Sequence, residues 1–361
     1  MRTQHKTLQF TEKLSYNEDR KHVRDGLSSA LFVGNNLWLC CDERTSLERL
    51  TRQGDGSFAE HQKFDLNKLL DLPGDPNGEI DVEGLGFENH YLWLVGSHSL
   101  ARKKPRKSES VERQIKRLTK LKDDPNRYLL ARVPMVKDET GNYTLCKSCP
   151  NPDNPEVMLT AAQLMGNGKT NQLMELMAHD KHVKDFIPIP GKDNGFDIEG
   201  LALSGNKIFL GLRGPVLRGW AIMLEVEMED TKPGYFQLKP IGKEKALYKK
   251  HFLHLEGMGI RELRIVKNDM LILAGPTMDL DGTISVYRWD NAVNQETNAI
   301  VHRKELHRLF DVPHGSGNTS GQDKAEGMAS VDDNHILVVF DSPTDERKKI
   351  ANGVLANYYK I

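Results

Sequence analysis

This sequence lacks long apolar runs and carries almost no net charge. No run reaches the ~18 apolar residues of a membrane-spanning helix, and the amino-terminal stretch MRTQHKTLQFTEK has no apolar core of the signal-peptide type. The 361 residues carry a formal net charge of −1, so no overall field favours nucleic acid or an anionic membrane. With 38% hydrophobic and 28% charged residues, the composition is typical of a soluble globular protein. We therefore expect a cytoplasmic protein with no membrane or nucleic-acid partner.

Cysteine is scarce, and its four positions limit the metal chemistry open to the chain. Cys40 and Cys41 are adjacent in a strand-like run, so their side chains point to opposite faces and do not easily serve one site. Cys146 and Cys149 have zinc-ligand spacing, but the sequence offers no clear second pair. A zinc site stays open as one interpretation, and the missing second pair favours reduced thiols without a ligand role.

One short pattern recurs along the chain and predicts the architecture. Asp81–Ser99 reads DVEGLGFENHYLWLVGSHS, and Asp197–Pro215 reads DIEGLALSGNKIFLGLRGP. Each copy is a short strand, a turn rich in Asn, Asp or Gly, and a second apolar strand. Three further copies read SSALFVGNNLWLCCDE, LEGMGIRELRIVKNDMLILAGPT and AEGMASVDDNHILVVFDSP. Ser28 replaces the glutamate in the first of these, and the glutamates of the other four copies align at Glu83, Glu199, Glu256 and Glu326.

In chain order, two more strand-like runs follow each of the first four copies of the pattern. A copy and the runs that follow it form one unit, so each of these four units has four antiparallel strands. In the third and fourth units the outermost strands are expected at Tyr235–Leu238 and Ala299–His302. The fifth copy is followed by one strand, Val354–Ile361, and the chain begins with an unassigned strand-like run, Lys6–Lys13. Pairing these two runs would close a ring of units and remove two sheet edges.

These features predict an all-β fold, a single five-bladed β-propeller over residues 1–361, closed by its amino-terminal strand. A six-bladed ring is the alternative, because the long interval from Glu83 to Glu199 has room for a degenerate blade. Small residues recur one and three places after the glutamates, as at Gly84 and Gly86 or Gly200 and Ala202. On a strand such residues share one face, which would let the first strand of the next blade approach closely.

Helical patterns interrupt the strand units in two places. Glu109–Lys122 has apolar residues at three- to four-residue spacing, and Leu159–Met165 and Asn171–His182 are further helical runs. They predict insertions at about residues 100–125 and 155–185, within the single domain. Both insertions leave from connections on one face of the propeller, so we expect a lid or wall over that face.

The same face gathers polar side chains from separate blades. In a propeller, the connection that enters the first strand and the connection between the second and third strands open on one side. The connections between the second and third strands supply the residues for which we predict ligand binding: Asp42, Ser97, Ser99, Arg213, Arg218, Thr277, Asp279, Asp281, Asp341 and Ser342. Glu43 lies next to Asp42 in the first of these connections. An ion pair between the arginines and Asp279 or Asp281 is the alternative that needs no ligand.

Charged groups at this face suggest how an anion would be held. The planar guanidinium of Arg213 suits a phosphate or carboxylate. His98 is a candidate general acid, and a loop histidine with one backbone hydrogen bond is the alternative. The segment ARKKPRK, Ala101–Lys107, follows the His98 loop; it would attract an anionic ligand at the mouth, or else it is a solvated loop.

Four glutamates near one axis repel one another, and something must remove that repulsion. A divalent cation, Ca²⁺ or Mg²⁺, would do so with four oxygen donors: Glu83, Glu199, Glu256 and Glu326. Ion pairs with the arginines would also do so. Backbone hydrogen bonds from the neighbouring blade are a third solution, and that one needs no ligand.

The repeated [DH]-x-E-G-[LM] pattern, together with GLRGPVLRGWA and GPTMDLDG, resembles a bacterial family of propeller-like proteins of unknown function over most of the chain. More distantly, the Asp-x-Glu-Gly element is similar to that of phytase-like and esterase-like propellers. In β-propeller phytases, carboxylates at the mouth hold calcium ions that bind phosphate. The resemblance implies such a role for Asp81, Glu83, Asp197 and Glu199, with Glu256 and Glu326 as partial matches.

These observations favour a hydrolase that acts on an anionic phosphoester, with nucleotides among its candidate substrates. A divalent cation on the axial glutamates would activate water, Arg213 and Glu199 would hold the reacting phosphate and its cation, and His98 would supply a proton. The alternative is a non-catalytic module that binds an anionic small molecule or peptide and signals to a partner protein through its helical insertions. A pure interaction scaffold is the third hypothesis.

Overall fold

The structure, a computed structural model, describes residues 3–17, 19–42, 44–242 and 245–361. In chain order the strands are β1 (Gln4–Gln9), β2 (Leu27–Val33), β3 (Asn36–Cys41), β4 (Ser46–Arg52), β5 (Phe58–Asp65), β6 (Val82–Glu88), β7 (Tyr91–Gly96), β8 (Ala101–Arg102), β9 (Leu121–Lys122), β10 (Leu130–Lys137), β11 (Tyr143–Leu145), β12 (Ser148–Asn151), β13 (Asn154–Thr160), β14 (Ala162–Leu164), β15 (Asp197–Ser204), β16 (Lys207–Gly214), β17 (Trp220–Val226), β18 (Met228–Asp230), β19 (Tyr235–Leu238), β20 (Lys249–His254), β21 (Gly259–Val266), β22 (Asp269–Gly275), β23 (Ile284–Trp289), β24 (Ala299–Val301), β25 (Leu306–Val312), β26 (Lys324–Asp332), β27 (His335–Asp341) and β28 (Gly353–Lys360). The α-helices are α1 (Glu12–Ser15), α2 (Val111–Leu118) and α3 (Gln172–Met177). The fold is therefore mostly β, and no described helix is long and apolar enough to cross a bilayer.

The amino-terminal strand closes a sheet with the carboxyl-terminal strand, as the sequence predicts. Strand β1 pairs antiparallel with β28 from Gln4 opposite Tyr358 to Gln9 opposite Gly353. Leu8 of β1 also pairs with Phe58 of β5, so the first and last units share one eight-stranded sheet in the order β2-β3-β4-β5-β1-β28-β27-β26. Leu8 itself is fully buried, which anchors the junction in the core.

The strands that begin the units contact one another in a ring. These inner strands are β2, β6, β15, β21 and β26. Each contacts the next in chain order, and β26 contacts β2, which gives a propeller-like arrangement around a shared axis. The predicted bare strand face is confirmed at Gly84, where an added Cβ would lie 2.6 Å from Cβ of Leu201. The same holds at Gly200, where an added Cβ would lie 2.9 Å from Cγ of Leu263.

Two outer strands differ from the prediction. Tyr235–Leu238, β19, pairs in parallel with β14 of the second unit, and the fourth strand of the third unit is β20. Ala299–Val301, β24, likewise pairs with β20, and the fourth unit ends with β25. In both cases a short strand covers the outer edge of the preceding unit, which removes an unpaired sheet edge. Local sequence shows that a segment is a strand but not which edge it covers.

The insertions are partly helical. Helix α2 lies within the predicted run, with the Ser110 hydroxyl as its N-cap acceptor. Helix α3 lies within Asn171–His182, and the Asn171 side chain caps it. The helical prediction for Leu159–Met165 is wrong, because β13 and β14 occupy that segment and pair with β12 and β10.

The cysteines differ from the favoured interpretation. Cys146 and Cys149 are joined in a disulfide, with their Cα atoms 6.3 Å apart. The structure thus differs from the reduced thiols that the sequence favours, and in a disulfide neither sulfur is a thiolate that could bind zinc. Cys40 and Cys41 are both buried, as expected for a strand between two neighbours.

Candidate functional site

One residue near the start of each inner strand lies outside the ladder of hydrogen bonds. In β6, Val82 pairs with Gly96 and Gly84 with Val95, so Glu83 forms a β-bulge. In the described strands this position is held by Ser28, Glu83, Glu199, Arg261 and Glu326. The bulges aim successive side chains at the same end of the shared axis, and this builds a ring of mostly charged groups.

Glu256 does not belong to this ring. The repeat alignment placed it with the other glutamates, but the residue at the bulge of β21 is Arg261. Glu256 precedes the strand and pairs with Arg303 at 2.6 Å and Arg308 at 2.8 Å, and the Tyr287 hydroxyl donates to it at 3.0 Å. The bulge residue thus lies five residues after the glutamate that the repeat alignment chose. The extra residues of this copy lie in the connection before the strand.

A cavity of about 620 Å³ opens at this end of the axis, and we call it the central cavity. Its acidic lining residues come from six separate parts of the chain: Asp25, Asp42, Glu79, Asp81, Glu83, Asp193, Asp197, Asp279 and Asp341. Its basic lining residues include Lys103, Lys104, Arg127, Lys192 and Arg213. Part of the wall comes from the first insertion, through Ala101–Pro105 and Leu118, as predicted. The cavity thus combines a carboxylate-rich interior with lysines at its rim.

Two arginines already neutralise part of the carboxylate cluster. Arg213 pairs with Asp197, and its NH1 lies 2.5 Å from Oε1 of Glu199. Arg261 pairs with Glu326 at 2.7 Å and lies 3.7 Å from Oε2 of Glu199. All five side chains are buried. Burial nevertheless raises the pKa of Glu199 to about 7, against the opposing effect of Arg213 and Arg261.

Arg127 supports a second part of the wall. Its guanidinium lies 3.0 Å from Oδ2 of Asp81 and 3.2 Å from Oε1 of Glu79, and it donates to the Ser99 hydroxyl at 3.4 Å. The 3-10 turn Pro125–Tyr128 presents it, between the first insertion and β10. Sequence reasoning missed Arg127 because no repeat carries it.

Glu83 and Asp42 differ from the other carboxyl groups because they lack partners. Within the described ranges, neither side chain has a hydrogen bond or an ion pair, and Oδ1 of Asp42 is buried. Burial raises the pKa of Glu83 well above its usual range, and Asp81 and Asp42 raise it further. Burial likewise raises the pKa of Asp42, with added repulsion from Glu326 and Asp341. Burial and the neighbouring carboxyl groups therefore disfavour the ionised form at both Glu83 and Asp42.

Asp341 and Lys192 complete the electrostatics of the central cavity. Burial raises the pKa of Asp341 to about 6, with repulsion from Glu326, while the Ser342 hydroxyl donates to it at 3.1 Å. Desolvation and Arg213 act against the charge of Lys192, but Glu326, Asp42 and Asp81 outweigh them and raise its pKa. Lys192 is therefore a permanent cation facing the unpaired carboxyl groups, and no motif in the sequence pointed to it.

His98 is buried beside the cavity and does not line it. Its Nδ1 lies 2.8 Å from the carbonyl oxygen of Gly96, and its Nε2 lies 2.8 Å from Nδ2 of Asn171. Burial lowers its pKa to about 4, so the ring is neutral at physiological pH. Of its neighbours, Ser99 lines the cavity and donates to the Ser97 hydroxyl at 3.1 Å.

The other predicted ligand residues separate into two groups. Asp42, Asp341 and Ser342 line the cavity, and so does Asp279, which pairs with Lys324 at 2.8 Å. Three lie off the cavity lining: Arg218, Thr277 and Asp281. Asp281 accepts hydrogen bonds from Ser320 and from the backbone of Gly321. Neither aspartate pairs with an arginine, so the predicted inter-loop ion pair is absent from the described residues, and Glu43 lies outside them.

Three of the four glutamates predicted to hold a cation, Glu83, Glu199 and Glu326, share the ring of bulge residues, but they are not jointly available to a cation. Glu199 and Glu326 are paired with arginines, Glu256 lies elsewhere, and Glu83 alone lines the central cavity. Across the described ranges, no three His, Cys, Asp or Glu side chains converge in a way that would hold a metal ion.

A buried ionic network fills the axis between the inner strands. Arg264 of β21 lies 2.9 Å from Oε2 of Glu262 and donates to the carbonyl oxygens of Leu201, at 3.0 Å, and of Ala30. These acceptors belong to β15 and β2, so one side chain joins three units. Ser29 donates to the same glutamate. Three inner strands are thus fixed relative to one another by a buried network in which both terminal nitrogens of Arg264 have partners.

Fifteen non-glycine residues in the described parts of the chain have left-handed φ angles, and three of them flank the central cavity. Asp81, His98 and Ser342 have left-handed φ angles of 59°, 53° and 51°. Such angles are uncommon for residues other than glycine and cluster at functional sites. All three lie at connections that enter or leave the cavity wall.

Solved structures offer only remote comparisons. The PQQ-bound aldose sugar dehydrogenase from Streptomyces coelicolor is 12% identical, covers 99% of this chain and 99% of that chain, and has a TM-score of 0.37. A streptogramin B lyase is 8% identical over 99% of this chain and 98% of that chain, with a TM-score of 0.35. YCF48 bound to D1 peptide is 8% identical over 98% of this chain and 94% of that chain, with a TM-score of 0.33. At these TM-scores the likeness carries no conclusion about chemistry.

Sequence comparison gives a clearer result. No curated protein matches the chain. A family model described as a protein of unknown function matches residues 26–357, which span the repeats and both insertions. The chain belongs to this family, DUF3616.

Proposed function

We propose that this protein is a hydrolase for a small anionic ester, foremost a phosphoester, with its active site in the central cavity of a five-bladed propeller. The observation that carries the proposal is the presence of two unpartnered carboxyl groups, Glu83 and Asp42, in a cavity that also contains fixed cations. The ring of inner strands, in which β26 contacts β2, supports the five blades.

In the proposed reaction, an ionised carboxylate of this pair takes a proton from water as the water oxygen attacks the phosphorus. The other carboxyl group, still protonated, gives its proton to the leaving alkoxide, and the products are an alcohol and phosphate. A raised carboxyl pKa is what general-acid catalysis near neutral pH requires. Asp42 raises the pKa of Glu83, so in the proposed reaction the pair shares one proton.

The cations of the cavity suit the anionic part of the substrate. Arg213 lines the cavity and is held by Asp197 and Glu199, so its guanidinium is oriented before a ligand arrives. Lys192, Lys103 and Lys104 line the cavity without an ion pair in the described parts of the chain. Glu199 is thus a positioning residue, and His98, with both ring nitrogens occupied, receives no proton-transfer step.

The cation predicted from the sequence has no step in this proposal. Glu83 and Asp42 offer unpaired oxygen atoms, but a hard divalent cation needs more ligands than two carboxyl groups. The proton transfers above need the chain's own side chains alone.

A non-catalytic module for an anionic small molecule or peptide is the alternative. The lysines at the rim of the cavity support the binding module as much as the hydrolase, because they bind an anion whether or not it reacts. The unpaired carboxyl groups favour the hydrolase, because in a purely anion-binding cavity they would only repel the ligand.

The test is a comparison of Glu83→Gln and Asp42→Asn with the unaltered protein on aryl phosphates, nucleotides and other small phosphoesters. We expect each variant to lose about 10²–10⁴-fold in turnover, the usual worth of one acid or base. The same compounds should still stabilise both variants against thermal unfolding. Glu256→Gln is the matched control, because this glutamate shares the motif but lies outside the cavity. Stabilisation without turnover in the unaltered protein would favour the binding module, and full activity in both variants would overturn the proposed mechanism.

A further inference from the structure

The first insertion forms an amphipathic surface, of which the proposed reaction uses only Lys103 and Lys104. Helix α2 exposes its apolar side chains in one stripe: Val111 is 70% exposed, Ile115 61% and Leu118 45%. Leu121, directly after the helix, is 44% exposed. These positions are three or four residues apart, so they lie on one face of the helix. An uncovered stripe of this kind marks an interaction surface.

The same segment is strongly basic, although the whole chain is nearly neutral. Residues 101–122 contain ten Lys or Arg and two Glu side chains, a net charge of +8. Arg102, Arg117 and Lys122 have acidic partners within the protein. The remaining seven are exposed and have no ion pair within the described ranges: Lys103, Lys104, Arg106, Lys107, Arg113, Lys116 and Lys120. Their charge is therefore available to an external partner.

A second loop extends this surface around the opening of the central cavity. Arg102 donates to the carbonyl oxygen of Leu118 and pairs with Asp193, and Asp193 forms a backbone bridge with Met278. Met278 is 45% exposed and Leu280 47% exposed. Helix α2 and the loop with Met278 and Leu280 thus both place exposed apolar side chains near the Arg102–Asp193 pair. The surface is therefore broader than a single helix.

We infer that this rim docks on an anionic lipid surface, with α2 lying in the interface and the central cavity facing the lipid headgroups. Basic amphipathic helices with separate apolar and charged faces bind such surfaces. Each Lys or Arg near an anionic bilayer adds about fivefold in affinity, so seven uncompensated charges are ample for binding. An acidic protein would share the charge complementarity. A surface that spreads over two elements and surrounds a cavity opening fits a plane better than a partner's groove.

Docking is tested by co-sedimentation of the full chain with vesicles of phosphatidylcholine alone and of phosphatidylcholine mixed with phosphatidylserine. We expect binding to the mixed vesicles, weak or no binding to the neutral ones, and loss of binding at high salt. Arg113→Glu with Lys116→Glu should weaken binding at least tenfold, and so should Ile115→Ser. None of these residues lines the cavity.

Matched controls distinguish binding by this surface from non-specific binding to the vesicles. Ile300, 62% exposed, matches Ile115 in type and exposure, and it lies on β24. Ile300→Ser should bind as the unaltered protein does, and so should Lys181→Glu with Lys304→Glu. Binding that is equal for neutral and mixed vesicles, or that survives the α2 variants, overturns the inference. Absence of vesicle binding together with capture of an acidic peptide overturns it in favour of a protein partner.

Discussion

Arg261 occupies, in the fourth unit, the β-bulge position that Glu199 occupies in the third, and its NH1 lies 3.7 Å from Oε2 of that glutamate. The same nitrogen atom lies 2.7 Å from Oε1 of Glu326, the bulge residue of the fifth unit. One cation therefore stands between two carboxylates in a ring that would otherwise be acidic. This relationship leaves Glu83 as the glutamate of the ring without a partner.

Arg261→Met should destabilise the protein by about 3–5 kcal/mol at pH 8, because removing one partner leaves buried carboxylates without compensation. The loss should shrink toward pH 5, because Glu199, with a pKa of about 7, is protonated there. Chemical denaturation at several pH values measures it. Arg308→Met is the matched control, since Arg308 is more exposed and its partner Glu256 keeps Arg303; we expect at most about 1 kcal/mol there. Equal losses in both variants would contradict the buried pairing.

The stability that protonated Asp341 and Glu199 contribute should be lost as pH rises toward neutral and beyond. The pKa of Asp341 is raised to about 6 and that of Glu199 to about 7, above the values of about 4 for unfolded carboxyl groups. The folded state then binds more protons than the unfolded state, so deprotonation costs stability above about pH 4, and the cost is complete above about pH 7. Denaturation midpoints of the unaltered protein and of Asp341→Asn between pH 5 and pH 8 test this, because His98, whose lowered pKa acts in the opposite direction, is common to both; an equal pH dependence in the two proteins would contradict it.

Glu83→Gln should stabilise the protein at pH 8 by about 1–3 kcal/mol, the scale of one unsatisfied buried group. The amide carries no charge, so it removes the repulsion from Asp81 and Asp42. The gain should vanish at low pH, where Glu83 is protonated. The paired prediction, lower turnover with higher stability, is a signature of an active-site residue. A variant that is both less stable and less active at pH 8 would indicate a structural role instead.

Gly84→Ala should cost about 1–3 kcal/mol, because its Cβ would lie 2.6 Å from Cβ and 2.9 Å from the backbone nitrogen of Leu201. The backbone of the next inner strand would have to move. Gly54→Ala is the control, since an added Cβ there meets nothing within 4 Å. We expect a change within about 0.5 kcal/mol at Gly54, as for most surface substitutions. Similar effects at both positions would argue against close contact between the inner strands.

Closure by the amino-terminal strand predicts a large effect far from the cavity. Leu8→Ala should cost about 2–5 kcal/mol, because Leu8 is fully buried between the first and last units. His5 lies on the same strand and is exposed, so His5→Ala should leave the free energy of unfolding nearly unchanged. Equal tolerance at both positions would show that β1 does not close the sheet in solution.

Local sequence determined the strand-turn-strand repeat, the pairing of the first strand with the last, the glycines that allow close approach and the wall formed by the first insertion. Each of these depends on periodicity or on small residues, which are visible over a few positions. Arg213 was predicted because its Gly-Pro turn repeats the position of other polar connections.

Tertiary structure alone decided which charges meet. The bulge register replaced Glu256 with Arg261, the packing of connections brought Arg127 and Lys192 to the cavity, and β19 and β24 crossed to neighbouring units. Each outcome depends on where a chain segment lies after many residues of intervening chain. A sequence records the order of side chains, whereas ion pairing and pKa depend on distances of a few ångströms and on burial, which exist only once the sheets have packed.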